Sequence, residues 1–365
     1  MRTPEILVVG AGPAGLSAAD AAGSLGAEVV LVDRSEAAGG QLVKQTHMFF
    51  GSKNQFAATR GIDIATKLTA QVVENSRVEM LLGTTVLGYY PDGVILAERD
   101  GRLLKFEPQR LIVATGAAEK SLPFPGNDLP GVYGAGAVQT LMNVHGVQPG
   151  DRVVMLGAGN IGLIVSYQLL QAGVPVAAIV EAAPTIGGYL VHASKIRRAG
   201  VPIYTSHTVK KAYGAEALEG VVIEAVDEHC QPVPGTEKDL AADVLCVAVG
   251  LTPLTELLFQ AGCDMRYISQ LGGHVAWRND DLETSVPGIY VAGDVSGVEE
   301  ASSAMVEGNL AGVCAAASLG YGGGRNGNES EPLRLAYLEQ LRELRCGPMG
   351  AKTRDGICSL TSSGG

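Results

Sequence analysis

Residues 6–34 read ILVVGAGPAGLSAADAAGSLGAEVVLVDR, and the order of chemistries within them decides the fold. An apolar run, Ile6–Val9, ends in Gly10-x-Gly12-x-x-Gly15. A small-residue helical stretch follows, and a second apolar run, Val29–Val32, stops at Asp33. Each part has a physical task. Gly10 permits the tight turn, Gly12 lets backbone N–H groups approach a diphosphate, and Gly15 lets a helix lie close on a strand. The helix N-terminus then faces anionic groups with its partial positive charge. Asp33 stands where a carboxylate accepts hydrogen bonds from ribose hydroxyls. A lone G-x-G-x-x-G is weak, but strand, fingerprint, helix, strand and acid in this order predict a dinucleotide-binding βαβ unit.

The pattern recurs at 151–183, DRVVMLGAGNIGLIVSYQLLQAGVPVAAIVEAA, with Gly157, Gly159 and Gly162 as fingerprint and Glu181 ending the second apolar run. A carboxylate there accepts from a ribose 2′-OH and repels a 2′-phosphate, so NAD(H) is expected over NADP(H). No arginine flanks Glu181, although Arg197 and Arg198 follow later. The alternative is that this second site keeps only ATP or AMP, or holds nothing.

With 365 residues, 49 glycines and 18% charged side chains, the chain has the composition of parallel α/β proteins, whose strands are covered on both faces. A net charge of −11 argues against nucleic acid or an anionic membrane as partner. The cysteines stand at 230, 246, 263, 314, 346 and 358, without C-x-x-C or ligand-like clustering with histidine, so no metal site and no disulfide framework is expected. The apolar stretches at 6–19 and 153–180 imitate a signal peptide and a membrane span. Their glycine fingerprints explain them better, and a cytoplasmic protein without a membrane span is the expectation.

Two further strands fix the class of nucleotide. Residues 111–116, LIVATG, end in Thr-Gly, and 289–294, IYVAGD, lead into VSGVEEASSAMVEGNLAGVCAAASLGY. With these four motifs in order, residues 5–320 resemble the two-dinucleotide-binding-domain flavoproteins, the thioredoxin- and glutathione-reductase-like group. The resemblance implies FAD on the first unit, with a ribityl-binding aspartate at Asp294 and the next helix starting near Glu300 to Ser302 beneath the flavin pyrimidine. A helix N-terminus there suits the negative charge of reduced flavin near N1 and C2=O. The implied FAD contacts are Gly10, Gly12, Pro13, Ala14, Gly15, Asp33, Arg34, Gly40, Gln41, Val86, Thr115, Gly116, Gly293, Asp294, Glu300 and Ala301. Those for the second nucleotide are Gly157, Gly159, Asn160, Ile161, Gly162 and Glu181. The domains are nested: 1–117 begins the FAD domain, 118–250 forms the NAD(H) domain, 251–325 completes the FAD domain, and 326–365 is a linker with a C-terminal helix. Alternation around P-D-G and D-G turns predicts a small antiparallel sheet within 81–108.

Members of that group carry redox cysteines just after the first GG or just before the second fingerprint. Here those segments read GGQLVKQTHMFF and GVYGAGAVQTLMNVHGVQPGD, with no cysteine. Relay through an internal dithiol is therefore not expected, and Cys346 and Cys358, with eleven residues between them, lack the spacing that activates a thiol. The segments PGVYGAGAVQTLM (130–142) and TSVPGIYVAGDVSGVEEASSAMVEGNLAG (284–312) further resemble FAD-binding α subunits of heteromeric amine, imino-acid and opine dehydrogenases. The implied partners are other subunits, with a second flavin or an iron–sulfur cluster, and the implied substrate is a small amino, imino or hydroxy acid.

Lys44, Thr46 and His47 follow Gln41 where the chain is expected to skirt the isoalloxazine. Lys44 and His47 are the candidate catalytic residues, as a cation near the ring and a proton exchanger. The competing reading makes this a surface or contact loop anchored by Met48, Phe49 and Phe50. His145, His192, His207, His229 and His274 are read as isolated packing or surface residues. In the tail, a Gly/Asn linker precedes a helix from about Pro332 with Tyr337, Leu338, Leu341 and Leu344 on one face, which either caps its own core or docks on a partner. Two other functions compete with an enzyme working inside a complex: a nucleotide-binding electron-transfer scaffold, and a stand-alone NADH oxidase or quinone-type reductase.

Overall fold

The computed structural model describes residues 1–49, 53–324, 327–347 and 350–361. Phe50 of the expected anchor, and positions 325–326 of the expected linker, lie outside the described residues. The chain divides into two compact units. The first comprises Met1–Val43, Met48–Ala118 and Thr252–Gly365, and the second Lys44–His47 and Glu119–Leu251.

The first unit is built on a five-stranded parallel sheet in the order Ile289–Val291, Arg110–Val113, Ile6–Val9, Val29–Val32, Val78–Leu81. Ile6, Val8, Leu31 and Ile112 point into one core with the helices Pro13–Ser24, Gly61–Glu74 and Ala301–Ser318, while Leu7, Val30, Val32 and Val113 point into a second. Both faces are thus covered, which is why these strands are apolar without alternation. The first and last of these helices meet backbone to backbone. A Cβ at Gly308 would run into the Ala14 carbonyl oxygen, and one at Gly312 into that of Ala18.

The antiparallel sheet expected within 81–108 is present as Thr85–Tyr89, Ile95–Arg99 and Arg102–Phe106. The tail forms two helices, Ser330–Cys346 and Ala351–Thr361. The first starts two residues ahead of Pro332. Its Leu341 is buried, and Tyr337, Leu338 and Leu344 pack against the first core, so this face caps the molecule's own interior.

The second unit repeats the architecture with a parallel sheet in the order Ile203–Tyr204, Val176–Val180, Val153–Leu156, Val244–Val247, Val132–Gly134. The helices Ala135–Asn143, Asn160–Gln171 and Leu190–Arg198 cover one face, and an antiparallel sheet of His207–Tyr213, Gly220–Ala225 and Lys238–Ala241 covers the other. The DEHC stretch at 227–230 forms the expected turn before Lys238–Ala241.

Candidate functional site: two nucleotide cradles

The two units build the same cradle from different residues. Gly10 N–H donates to the Val32 carbonyl (2.8 Å), and Gly157 N–H to that of Val180 (2.7 Å). Asp33 accepts Ala11 N–H at 2.6 Å and Ser35 N–H at 2.7 Å, one on each carboxylate oxygen. Glu181 does likewise with Ala158 N–H at 2.8 Å and Ala183 N–H at 3.0 Å. Every one of these oxygens retains acceptor capacity for a ribose hydroxyl. The backbone bonds explain why the acid stands one residue past each strand: it ties the fingerprint loop while keeping its outer edge available.

Beyond each acid a glycine pair folds back onto the fingerprint. Gly39 N–H donates to the Ala11 carbonyl (2.8 Å) and Gly188 N–H to that of Ala158 (3.0 Å). A Cβ on Gly40 would lie 2.7 Å from Gly12 Cα, and one on Gly188 2.8 Å from the Gly159 carbonyl carbon. The next strand in each unit is entered through a left-handed turn, Gly83 at φ 60° and Ser206 at φ 52°. Their N–H groups reach the carbonyls of Ser35 and Ala183, both at 3.0 Å. The correspondence continues into bulged strands, with register shifts at Val86/Gly88 and Val209/Lys211.

Both cradles leave room for a diphosphate. A Cβ on Gly12 would meet only Gly40 Cα at 3.9 Å, and one on Gly159 would meet nothing within 4 Å. Glycine at each N-cap also means that no side chain caps the helices Pro13–Ser24 and Asn160–Gln171, so their first N–H groups remain for a ligand. Among the other expected contacts, Pro13 and Ala14 lie in the first helical turn, Arg34 and Gln41 are exposed, and Val86 is half-buried. Asn160 Oδ1 accepts Tyr189 N–H at 2.9 Å and pins the loop behind Gly188. Ile161 is partly exposed beside it.

The expected flavin corner lies within the first unit. Thr115 Oγ1 donates to the Leu254 carbonyl (2.7 Å), and Leu254 N–H to that of Gly116 (3.0 Å), joining the ATG strand end to the returning chain. Gly293 takes φ 77°, and its Cβ would stand 2.8 Å from Ala14 Cβ. Asp294 is nearly buried and accepts a long bond, 3.3 Å, from Glu299 N–H. Burial, reinforced by the carboxylates of Glu307 and Glu299, pushes its carboxyl up to about 6 against the help of that bond. A carboxyl so placed is short of donors, which suits the hydroxyls of a ribityl chain. Glu300 is the N-cap of the helix that starts at Ala301.

Lys44 and His47 belong to the second unit. Lys44 Nζ donates to the Gly136 carbonyl (3.0 Å) at the start of the Ala135–Asn143 helix, beside Glu119, which accepts Gly136 N–H at 2.6 Å. Burial lowers the Lys44 ammonium pKa, with Glu119 acting the other way. Asn143 Nδ2 holds the Lys44 carbonyl at 2.7 Å, and Thr46 Oγ1 accepts from Gln168, which in turn accepts from Gln139. His47 is lowered to about 4 by burial, then by His192 and Lys195. His192 is buried, and burial, then Lys195, lowers its imidazole pKa. Met48 is 55% exposed, whereas Phe49 packs on the first core.

Sequence reasoning missed Gly187–Gly188 and a buried ionic cluster. The glycine pair was findable, because acid and pair are separated identically in DRSEAAGG and EAAPTIGG. The cluster joins Arg278, Glu299, Glu307 and Arg345, which no local spacing connects. Among the described residues, no group of three or more His, Cys, Asp or Glu could hold a metal, and no helix is long and apolar enough to cross a membrane.

The family model described as pyridine nucleotide-disulphide oxidoreductase matches residues 4–308, and the chain belongs to that family, whose cofactors are FAD and NAD(P). An opine oxidase subunit from Agrobacterium tumefaciens is 28% identical over 86% of this chain, which spans 66% of that relative. The alpha subunit of a sarcosine oxidase from Rhizobium meliloti is 30% identical over 88% of this chain, which spans 30% of its length. The chain thus spans about two thirds of one relative and under a third of the other. Among solved structures, L-proline dehydrogenase from P. horikoshii shares the fold with a TM-score of 0.72 and 23% identity, covering 93% of this chain and 59% of that one.

Proposed function

We propose that this family member passes a hydride or electron pair between a nicotinamide nucleotide and FAD, and from flavin to an acceptor, without an internal redox disulfide. The observation that carries the reading is the duplicated cradle: one chain offers two diphosphate sites, each with its own ribose-facing carboxylate. The relatives support a role inside a larger oxidoreductase, since they are named as subunits of an opine oxidase and a sarcosine oxidase. On this reading the chain works within a heteromeric enzyme that acts on a small amino, imino or hydroxy acid.

Flavin supplies the capacity to take a hydride and release electrons singly or in pairs. The chain's own residues do the rest. Asp33 and the Gly10–Gly15 loop hold the adenosine diphosphate of FAD, and Asp294 and the Ala301 helix start hold its ribityl and pyrimidine end. Glu181 with the Gly157–Gly162 loop holds the second nucleotide and disfavours a 2′-phosphate. Neither segment that carries cysteines in disulfide reductases has one here, so these segments offer no thiol next to the site where FAD would sit. The acceptor would be a small molecule or a cofactor of another subunit. His47, kept neutral by burial, serves as a hydrogen-bonding imidazole in this scheme rather than as an acid.

The test is anaerobic mixing of the FAD-loaded protein with NADH and, separately, NADPH while the visible flavin absorption band is followed. Bleaching by NADH and not NADPH is the expected result. No bleaching by either removes the nicotinamide from the scheme.

A further inference from the structure

The Ser330–Cys346 helix does more than cover the first core. Arg345, near its C-terminal end, donates from Nη2 to Glu307 Oε1 (2.6 Å), and from Nη2 (2.6 Å) and Nε (3.1 Å) to Glu299. Arg278 Nη2 reaches the same Glu307 Oε1 at 3.0 Å. The other Glu307 oxygen accepts Gly293 N–H at 2.9 Å and Ser296 Oγ–H at 2.7 Å. Glu299 is the residue whose N–H bonds Asp294. One carboxylate that Arg345 grips, Glu307, therefore bonds the Gly293–Ser296 turn directly, and the other belongs to Glu299, whose backbone N–H bonds Asp294.

The cluster is deeply buried, with Glu307 2% and Arg278 5% exposed. Its two guanidiniums and two carboxylates balance. Burial works against ionised Glu307, and the two guanidiniums outweigh it, holding this carboxyl below its ordinary value. Burial likewise opposes the Arg345 charge, and Glu307 and Glu299 overcome it. Such an array is stable only while complete. Removing one partner leaves a net charge in a low-dielectric site, where it acts on neighbours at range.

We infer that Arg345 is a positioning residue for the flavin: through Glu307 and Glu299 it fixes the Asp294 turn and cancels the negative charge that would otherwise face the flavin pyrimidine end. The inference rests on Asp294 belonging to the FAD site. Without Arg345, Glu299 and Glu307 share one guanidinium, and the excess negative charge disfavours the anionic reduced flavin more than the oxidised one. The midpoint potential then falls. Glu299→Gln leaves excess positive charge and raises it.

The experiment measures FAD dissociation constant and flavin midpoint potential in the full chain for wild type, Arg345→Met, Arg345→Lys, Glu299→Gln and the Arg345→Met/Glu299→Gln double variant. Arg345→Met is expected to bind FAD on the order of tenfold more weakly. Its reduced-to-oxidised affinity ratio should drop by a similar factor, about 30 mV in potential for a two-electron couple. Arg345→Lys restores most of the potential, and the charge-balanced double variant returns it towards wild type, which a purely structural role would not do. Should Arg345→Met fail to fold, the upward shift in Glu299→Gln carries the test. Equal potentials in wild type and Glu299→Gln, or no recovery in the double variant, overturn the inference. Failure of the wild-type chain to bind FAD would instead overturn the site assignment on which it rests.

Discussion

Gly159→Ala separates nucleotide binding from folding at the second cradle. Gly159 is the N-cap of the Asn160–Gln171 helix, with φ −73° and ψ −180°, a conformation alanine adopts without strain. Its Cβ would meet no protein atom within 4 Å. Losing glycine at an N-cap costs some tenths of a kcal/mol, and the stiffer unfolded chain returns about 0.4–1 kcal/mol, so folding stability should change by less than about 1 kcal/mol. The methyl group does stand where a diphosphate must approach the backbone. Forcing one methylene-sized group into a closely packed contact costs about 1–3 kcal/mol, so nucleotide affinity should fall roughly 5- to 150-fold. The assay pairs urea unfolding with calorimetric titration of NADH and with the NADH concentration dependence of anaerobic flavin reduction. FAD content should be unchanged, because the first cradle is untouched. Wild-type NADH affinity in a folded Gly159→Ala protein would refute the assignment. Gly162→Ala is the contrast: its Cβ runs into the Gly157 carbonyl oxygen, so the fold itself should suffer.

Three other outcomes are expected. Gly308→Ala should destabilise the protein by several kcal/mol in urea unfolding, because its Cβ meets the Ala14 backbone and neither helix can yield. Asp294, pushed up to about 6 by burial, binds a proton more readily folded than unfolded, so its contribution favours the folded state below about pH 4 and weakens as pH rises to 6. In the FAD-free protein Asp294→Asn should therefore gain roughly 3 kcal/mol relative to wild type at pH 7, and nothing at pH 4, by urea titration. His47, lowered to about 4, is neutral across the physiological range. The pH profile of flavin reduction should then show no limb from it between about pH 5.5 and 8, and a limb that disappears in His47→Ala would contradict this.

What the sequence determined by itself was everything carried by short-range order. The two fingerprints, their acids and the apolar strands are local patterns, because a turn, a helix start and a strand end each depend on a few consecutive residues. The antiparallel sheet within 81–108 was legible for the same reason. The tertiary structure alone decided three things. It assigned Lys44–His47 to the second unit, through bonds to Gly136, Asn143 and Gln168, far along the chain. It buried His192, an outcome no periodicity reports. It also drew Arg278, Glu299, Glu307 and Arg345 together around one turn. A buried charge must find its counter-charge wherever the fold brings one near, and sequence spacing does not encode that meeting.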